Sequence, residues 1–251
     1  MRYLVLTDIH ANLEALDACL THARAQTYDE ALVLGDLVGY GADPNAVVER
    51  IQALAPLAIV RGNHDKVACG LEQPEGFNTV AKSAARWSLD ALSRTHREWL
   101  AGLPRGPVLV DELVEICHGS PFDEDAYVFD ELDALRALKS SSRAVCLFGH
   151  THYPIAFELL DGALDSPFNN AVEPDAAEIH VPLRDEATYL VNPGSVGQPR
   201  DGDPRAAYAI VDVGRKRLEF FRVTYAVDVA QAKVMRAGLP EVLAQRLGVG
   251  R

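Results

Sequence analysis

Cysteine is scarce in this chain and never clustered: the four present, Cys19, Cys69, Cys117 and Cys146, are widely spaced and form no C-x-x-C pair. A thiolate zinc site and a disulfide framework are thereby excluded, and reduced core thiols are expected. Long apolar runs are also missing. Nothing approaches the ~18 residues of a bilayer span, and residues 4–6 run straight into Thr7 and Asp8 where a signal-like stretch would stay apolar. No membrane partner and a cytoplasmic location are therefore expected. Basic residues are the minority, 24 Lys and Arg against 36 Asp and Glu, for a net charge of −12. That balance argues against an extended nucleic-acid surface, and an anionic substrate would need a local cation. Linkers, repeats and low-complexity tracts are absent too, so residues 1–251, 48% hydrophobic, are expected to form a single domain.

What the chain does have is a set of short apolar runs that stop abruptly at polar residues. Leu57-Ala58-Ile59-Val60 runs into Arg61-Gly62-Asn63-His64-Asp65, the pattern of a buried strand that delivers side chains to its C-terminal rim. On this reading Asn63 and His64 are presented in a turn and not packed. Four more runs end alike: residues 4–7 into Asp8-Ile9-His10, residues 31–34 into Gly35-Asp36, residues 113–117 into His118-Gly119, and residues 144–148 into Gly149-His150-Thr151-His152. Five rims bearing Asp, Asn or His are expected to converge on one site.

Between these runs the spacing is helical. Leu13, Leu16, Leu20 and Ala23 predict an amphipathic helix over about 12–25, with His22 on its surface, and Pro44 opens a helix with Val47, Val48, Ile51 and Leu54 inward. The β-α-β-α-β alternation implies a parallel sheet with right-handed crossovers. Residues 78–103 predict two helices, the second begun by Thr95-His96-Arg97-Glu98 as a capping box. Residues 107–110 and 113–117 predict an antiparallel pair across Asp111-Glu112, and Leu132, Leu135 and Leu138 a helix. The last third reads as a β-meander, with runs at 155–160, 178–182, 188–191, 206–213 and 217–223, followed by C-terminal helices over 226–251. Residues 161–185, acidic and proline-bearing, read as a surface insertion with His180 structural or exposed.

Asp8, His10, Asp36, Asn63, His118, His150 and His152 are oxygen and imidazole donors without thiolate, the ligand type of borderline first-row ions such as Mn, Fe, Zn or Ni. Seven donors exceed the needs of one catalytic ion. They suit two ions about 3.5–4 Å apart with a bridging carboxylate. The chain lacks the H-x-H-x-D-H pattern of metallo-β-lactamases.

Asp8-x-His10, Gly35-Asp36, Gly62-Asn63-His64-Asp65, His118 and Gly149-His150-x-His152 together resemble, in order, the motif series of the calcineurin-like metallophosphoesterases. Asn192-Pro193-Gly194-Ser195-Val196 is similar to a loop of the small bacterial branch, so the resemblance spans most of the chain apart from 161–185 and the terminal helices. It implies an α/β fold, a four-layer α-β-β-α sandwich of two mixed sheets flanked by helices. It also implies that Asp8, His10 and His152 hold one divalent ion, Asn63, His118 and His150 the other, and Asp36 bridges. Hydrolysis of a phosphodiester or phosphoanhydride by a hydroxide between the ions follows, with His64 as general acid. Asp65 either orients His64 or caps a helix. Asn12, Tyr40 and Arg200 are candidate substrate contacts, with ordinary loop roles as the alternative. The implied substrate is a small phosphorylated compound, foremost a nucleotide, because Gly35-Asp36-Leu37-Val38-Gly39-Tyr40-Gly41 resembles diadenosine-tetraphosphatase-like relatives. Phosphoprotein phosphatases carry Asp and Arg where this chain has Gly39 and Tyr40, which counts against that alternative. A metal-poor binding scaffold, the retromer-subunit form of the same fold, is the third reading, and it loses the His that is kept here as His64.

Overall fold

The computed structural model describes residues 1–169 and 176–251. In chain order the elements are β1 (Arg2–Leu6), α1 (Leu13–Gln26), β2 (Glu30–Val33), α2 (Pro44–Leu54), β3 (Ala58–Ile59), α3 (Asn63–Ala68), α4 (Thr79–Ala91), α5 (Arg94–Ala101), β4 (Val108–Leu109), β5 (Val114–Ile116) and α6 (Glu131–Ser140). They continue with β6 (Val145–Leu147), β7 (Ile155–Leu160), β8 (Ala163–Asn169), β9 (Glu178–Pro182), β10 (Thr188–Asn192), β11 (Ala206–Asp212), β12 (Arg217–Val223), α7 (Val227–Arg236) and α8 (Glu241–Leu247).

Among the described residues the strands form two six-stranded mixed sheets, ordered β3-β2-β1-β11-β12-β9 and β4-β5-β6-β10-β7-β8. Their parallel cores are β1-β2-β3 and β5-β6-β10, with antiparallel strands added outside. Alternation along each strand explains the stacking. Leu4 and Leu6 point outward onto Leu16 and Leu20 of α1 and Val47 and Ile51 of α2. Tyr3 and Val5 point inward and meet Val114, Ile116, Leu147 and Val191 of the second sheet. On the far side Cys146, Phe148 and Leu190 pack beneath Ala134, Ala137 and Leu138 of α6. Strands covered on both faces need apolar residues at every position, which is why they read as unbroken runs. The result is the four-layer α-β-β-α sandwich, and it leaves the C-terminal ends of β1, β2, β3, β5 and β6 on one rim.

Residues 161–185 are not a surface insertion. β8 pairs with β7 at the edge of one sheet and β9 pairs with β12 at the edge of the other, so the segment supplies an outer strand to each. Phe168 and Val181 are buried, and Phe168 packs against Phe220 with ring centroids 4.3 Å apart and planes tilted by 47°. Edge strands tolerate proline and acidic residues alike, so Pro167 and the acidic side chains are compatible with both sheet edges; residues 170–175 of that segment lie outside the described residues. His180 is exposed and paired with Glu178 at 2.6 Å.

Smaller differences have equally local causes. The capping residue of α5 is Ser93, whose Oγ accepts the His96 N–H, so the helix begins at Arg94. In α6 the buried face is Ala134, Ala137 and Leu138, and Leu132 stands exposed. His22 is half-buried, bonded to the Tyr208 hydroxyl at 2.8 Å and packed on Phe221.

Candidate metal centre

Five strand ends carry the donor residues, and the backbone there is bent to present them. Asp8, His10, Asp36, His150 and His152 all have positive φ, between 49° and 69°. This region is costly for residues with a Cβ, about 1–3 kcal/mol each, and such strain clusters at functional sites. Hydrogen bonds hold the bends: Asp8 N–H donates to Gly35 O, His10 N–H to Asp36 O, and His150 N–H to both Asp8 carboxylate oxygens at 3.2 and 3.1 Å. The loop after β10 locks them from behind, with Ser195 Oγ donating to Asp8 O and Asn192 Nδ2 donating to Gly149 O, each at 2.8 Å.

Donor atoms of Asp8, His10, Asp36 and His152 all lie within 4.8 Å of one another, and those of Asp36, His118 and His150 form a second such group. Asp36 belongs to both. Every donor in the two groups is buried. The tautomers are legible from the other ring nitrogens. His10 Nδ1 faces Val38 O at 3.1 Å, His152 Nδ1 faces Gln198 O at 2.6 Å, and His118 Nδ1 faces Leu34 O at 2.8 Å. A nitrogen facing a carbonyl carries the proton, so in the neutral rings of His10 and His152 each Nε2 is left with a lone pair. His10 Nε2 and His152 Nε2 then stand 3.0 Å apart, bare nitrogen toward bare nitrogen. Such a pair repels unless a cation lies against both. In His150 the roles are reversed: Nε2 donates to Asp125 O at 3.1 Å, and Nδ1 is the free donor atom. The donor set fits divalent metal ions.

The electrostatics agree. Burial holds the imidazoles of His10 and His152 well below the usual value and that of His150 down to about 3, so they remain neutral. Burial also pushes the Asp8 carboxyl up, with Asp36 adding to the effect. Burial acts against charge on His118 as well, but Asp36 outweighs it, with Asp8 assisting, and the imidazolium is held up at about 10. Without metal, a proton on His118 thus supplies positive charge that the two carboxylates demand.

Asn63 and His64 are not in an open turn. They start α3, with Gly62 as the preceding cap, because Asp65 Oδ2 accepts the Gly62 N–H at 2.9 Å. Asn63 Oδ1 lies 3.3 Å from His118 Nε2. His64 is buried, its N–H donates to Asp36 Oδ1 at 2.9 Å, and its ring is enclosed by Tyr40, Phe77 and His10 at 4.4, 4.5 and 5.0 Å. Its Nδ1 is buried without a hydrogen-bond partner among the described residues. Asp65 does not reach that ring: its other oxygen accepts the Val38 N–H at 3.1 Å, which ties the loop after β2 to α3. The hydrogen bonds of Asp65 are those of a helix cap.

Asn12 is likewise engaged, capping α1 through Ala15 N–H at 3.1 Å and donating to Gly197 O at 2.9 Å and the Tyr225 hydroxyl at 3.3 Å. Tyr40 leans on the His10 ring at 4.6 Å, and Arg200 donates to its hydroxyl at 3.2 Å. The Arg200 guanidinium is near enough to the centre to oppose protonation of His64, His150 and His152.

Several supporting groups carried no signal in the sequence. The Gln198 and Asp125 carbonyls that orient His152 and His150 are backbone atoms, so residue type says nothing about them. Helices α7 and α8 complete one wall: Val234, Leu239, Leu243 and Ala244 pack around Tyr40 and α4, and Lys233 pairs with Glu14 and Asp43 at 2.5 and 2.8 Å. Tyr127 stacks on the His150 ring at 3.8 Å. An aromatic pair two residues apart, shortly after His118, was its only mark in the sequence.

Fold and site first define a class: an α/β sandwich with buried Asp/His groups suited to divalent metals on one strand rim. The chain belongs to the calcineurin-like phosphoesterases, for the Calcineurin-like phosphoesterase superfamily domain matches residues 1–216. A metallophosphoesterase from Sphaerobacter thermophilus is 37% identical, with a TM-score of 0.85 over 100% of this chain and 99% of that one. A hypothetical protein from Pyrococcus horikoshii OT3 shares the fold at 22% identity, with a TM-score of 0.77 over 100% of this chain and 98% of its own. An uncharacterized protein of Methanocaldococcus jannaschii is 33% identical over 98% of this chain and 97% of its length.

Proposed function

We propose that this protein hydrolyses phosphodiester or phosphoanhydride bonds of small phosphorylated compounds, nucleotides foremost, with two divalent transition-metal ions from the set Mn, Fe, Zn and Ni. Asp8, His10 and His152 hold one ion, Asn63, His118 and His150 the other, and Asp36 serves both. When bound, the ions supply Lewis-acid charge for the phosphoryl oxygens and lower the pKa of water. The observation that carries this reading is the 3.0 Å approach of His10 Nε2 to His152 Nε2 with both Nδ1 atoms on carbonyls, an arrangement that calls for a cation.

The chain's own residues do the rest. Arg200 has a fork of donors, and it binds a phosphate oxygen beside Tyr40. His64 is fixed by Asp36 through its backbone and by three rings through its side chain, and it gives its proton to the leaving oxygen. Burial lowers its pKa to about 4, Asp36 opposes this, and Arg200 and His118 add to the lowering. The negative charge of a bound phosphate favours the imidazolium form, so the acid is armed by its substrate. The enclosing rings of Phe77 and Tyr40 keep water from the proton.

The test is a hydrolysis screen with Mn supplied, spanning mononucleotides, cyclic and linear diesters, dinucleoside polyphosphates and phosphopeptides, with metal content measured in parallel. Turnover of dinucleoside polyphosphates or nucleotide diesters is expected. A preparation holding two ions per chain that turns over phosphopeptides alone overturns the nucleotide assignment.

A further inference from the structure

We infer that Tyr127 and Phe129 form a stacking platform for the base of a nucleotide substrate, beside the metal centre and continuous with it. The inference rests on the phosphoesterase reading above and adds the element that would select an aromatic base.

Three rings lie in series. His150, a proposed ligand, is covered by Tyr127 at 3.8 Å with 24° between planes, and Tyr127 is covered by Phe129 at 4.8 Å and 9°. The inner end of the stack touches the metal centre. Its outer end is open: Phe129 is 71% exposed, Tyr127 43%, and Leu132 in the first turn of α6 77%. Large apolar side chains are ordinarily buried, and contiguous exposure of this kind marks a contact surface.

The segment is also held still. Lys66 pairs with Asp125 at 2.5 Å, Arg61 with Glu124 at 3.1 Å, and the Phe129 N–H donates to Asp133 Oδ2 at 3.1 Å. Asp130 caps α6 directly after the pair. An exposed ring pair on a rigid loop is preorganised, so binding there costs little ordering. Arg200 lies beside the Tyr127 phenol as well as the Tyr40 hydroxyl. One cation therefore borders both the phosphate position and the aromatic shelf. A nucleotide has this same layout, with its base set one sugar away from its phosphate, and stacking of a base on an aromatic side chain contributes about 1–3 kcal/mol. A base-free phosphate would gain nothing from Phe129.

The test compares AMP with ribose 5-phosphate, which carries the same sugar phosphate without the base, as ligands of the Mn-loaded protein by calorimetry. Wild type is expected to prefer AMP by roughly 5- to 150-fold. Phe129→Ala should collapse that ratio toward unity. Phe129→Trp should keep it, and AMP should quench the fluorescence of the introduced indole while ribose 5-phosphate does not. An equal affinity of wild type for the two ligands overturns the platform, as does a ratio unmoved by Phe129→Ala or lost in Phe129→Trp. Sedimentation velocity checks the other use of an exposed aromatic shelf. A dimer dissolved by Phe129→Ala with an unchanged ligand ratio makes the patch a self-interface and overturns the proposal. If neither ligand binds and inorganic phosphate does not bind either, the phosphoesterase reading itself falls.

Discussion

Asp36 and His64 are joined through the backbone: the His64 N–H donates to Asp36 Oδ1 at 2.9 Å, while Asp36 belongs to both groups of metal-type donors. The residue proposed to serve two ions thus also fixes the start of the helix that carries the proposed acid. Asp36→Asn is expected to lower metal occupancy at both positions, because a neutral amide is a poor bridge between cations. His152→Ala removes a donor from one group only and should mainly empty one position. Metal per chain, measured by mass spectrometry, decides it, and two tightly bound ions in Asp36→Asn would show that Asp36 is not the bridge.

Metal removal should cost stability. The bare His10 and His152 nitrogens face each other uncompensated without a cation, so the chelated protein is expected to melt at a lower temperature. Added Mn should raise the melting temperature with concentration, by the equivalent of about 2.7 kcal/mol at a hundredfold excess over Kd. A melting temperature indifferent to both treatments means that the pocket does not bind the ion tightly.

Arg200 is the cation expected to recognise substrate charge. Arg200→Ala should lower kcat/KM by roughly 10- to 150-fold, the worth of a hydrogen bond to a charged group. Arg200→Lys should fall between, since a lysine keeps the charge but loses the fork that also serves Tyr40. Equal losses for lysine and alanine would point to packing over Tyr40, where the guanidinium lies 5.8 Å from the ring centroid, as the role of this residue.

The donor residues were legible because strand ends announce themselves: an apolar run buried on both faces stops where Asp, Gly or His begins, as at Leu34-Gly35-Asp36. Sheet membership at the edges was not. Residues 163–169 mix apolar and polar residues without regular alternation and contain Pro167, so nothing in their pattern separates an edge strand from an insertion, and only pairing with β7 decides it. The packed state of His64 was hidden for another reason, because its enclosure comes from Tyr40 and Phe77, which other elements bring to it. The role of α7 and α8 in holding Tyr40 depends on tertiary packing throughout.

Because β8 and β9 complete both sheets, excision of residues 161–185 is expected to abolish soluble expression. It would remove the edge strand of each sheet and leave β7 and β12 as exposed edges. A soluble, cooperatively melting deletion variant would show that the two edges are dispensable.

Gly39 and His64 allow the proton-transfer role to be separated from metal binding. Gly39 has φ of 92°, and a Cβ there would press into His64 Nδ1. Gly39→Ala should therefore displace the ring at a stability cost of about 1–3 kcal/mol while sparing the metal donors. His64→Ala should also keep both ions, because Asn63 and the other donors are untouched. A general acid matters in proportion to how much the leaving oxygen needs a proton. An aryl ester departs as a stable anion, so its hydrolysis should fall little in either variant. Esters with an alkoxide leaving group should fall by roughly 10² to 10⁴, the usual worth of positioned proton transfer. A polyphosphate leaving group is weakly basic, so dinucleoside polyphosphates should follow the aryl case. The measurement is kcat/KM across this series with metal content checked for each preparation. Equal losses for aryl and alkyl esters at full occupancy would assign His64 to positioning the phosphate or a ligand, and the proton would have to come from elsewhere.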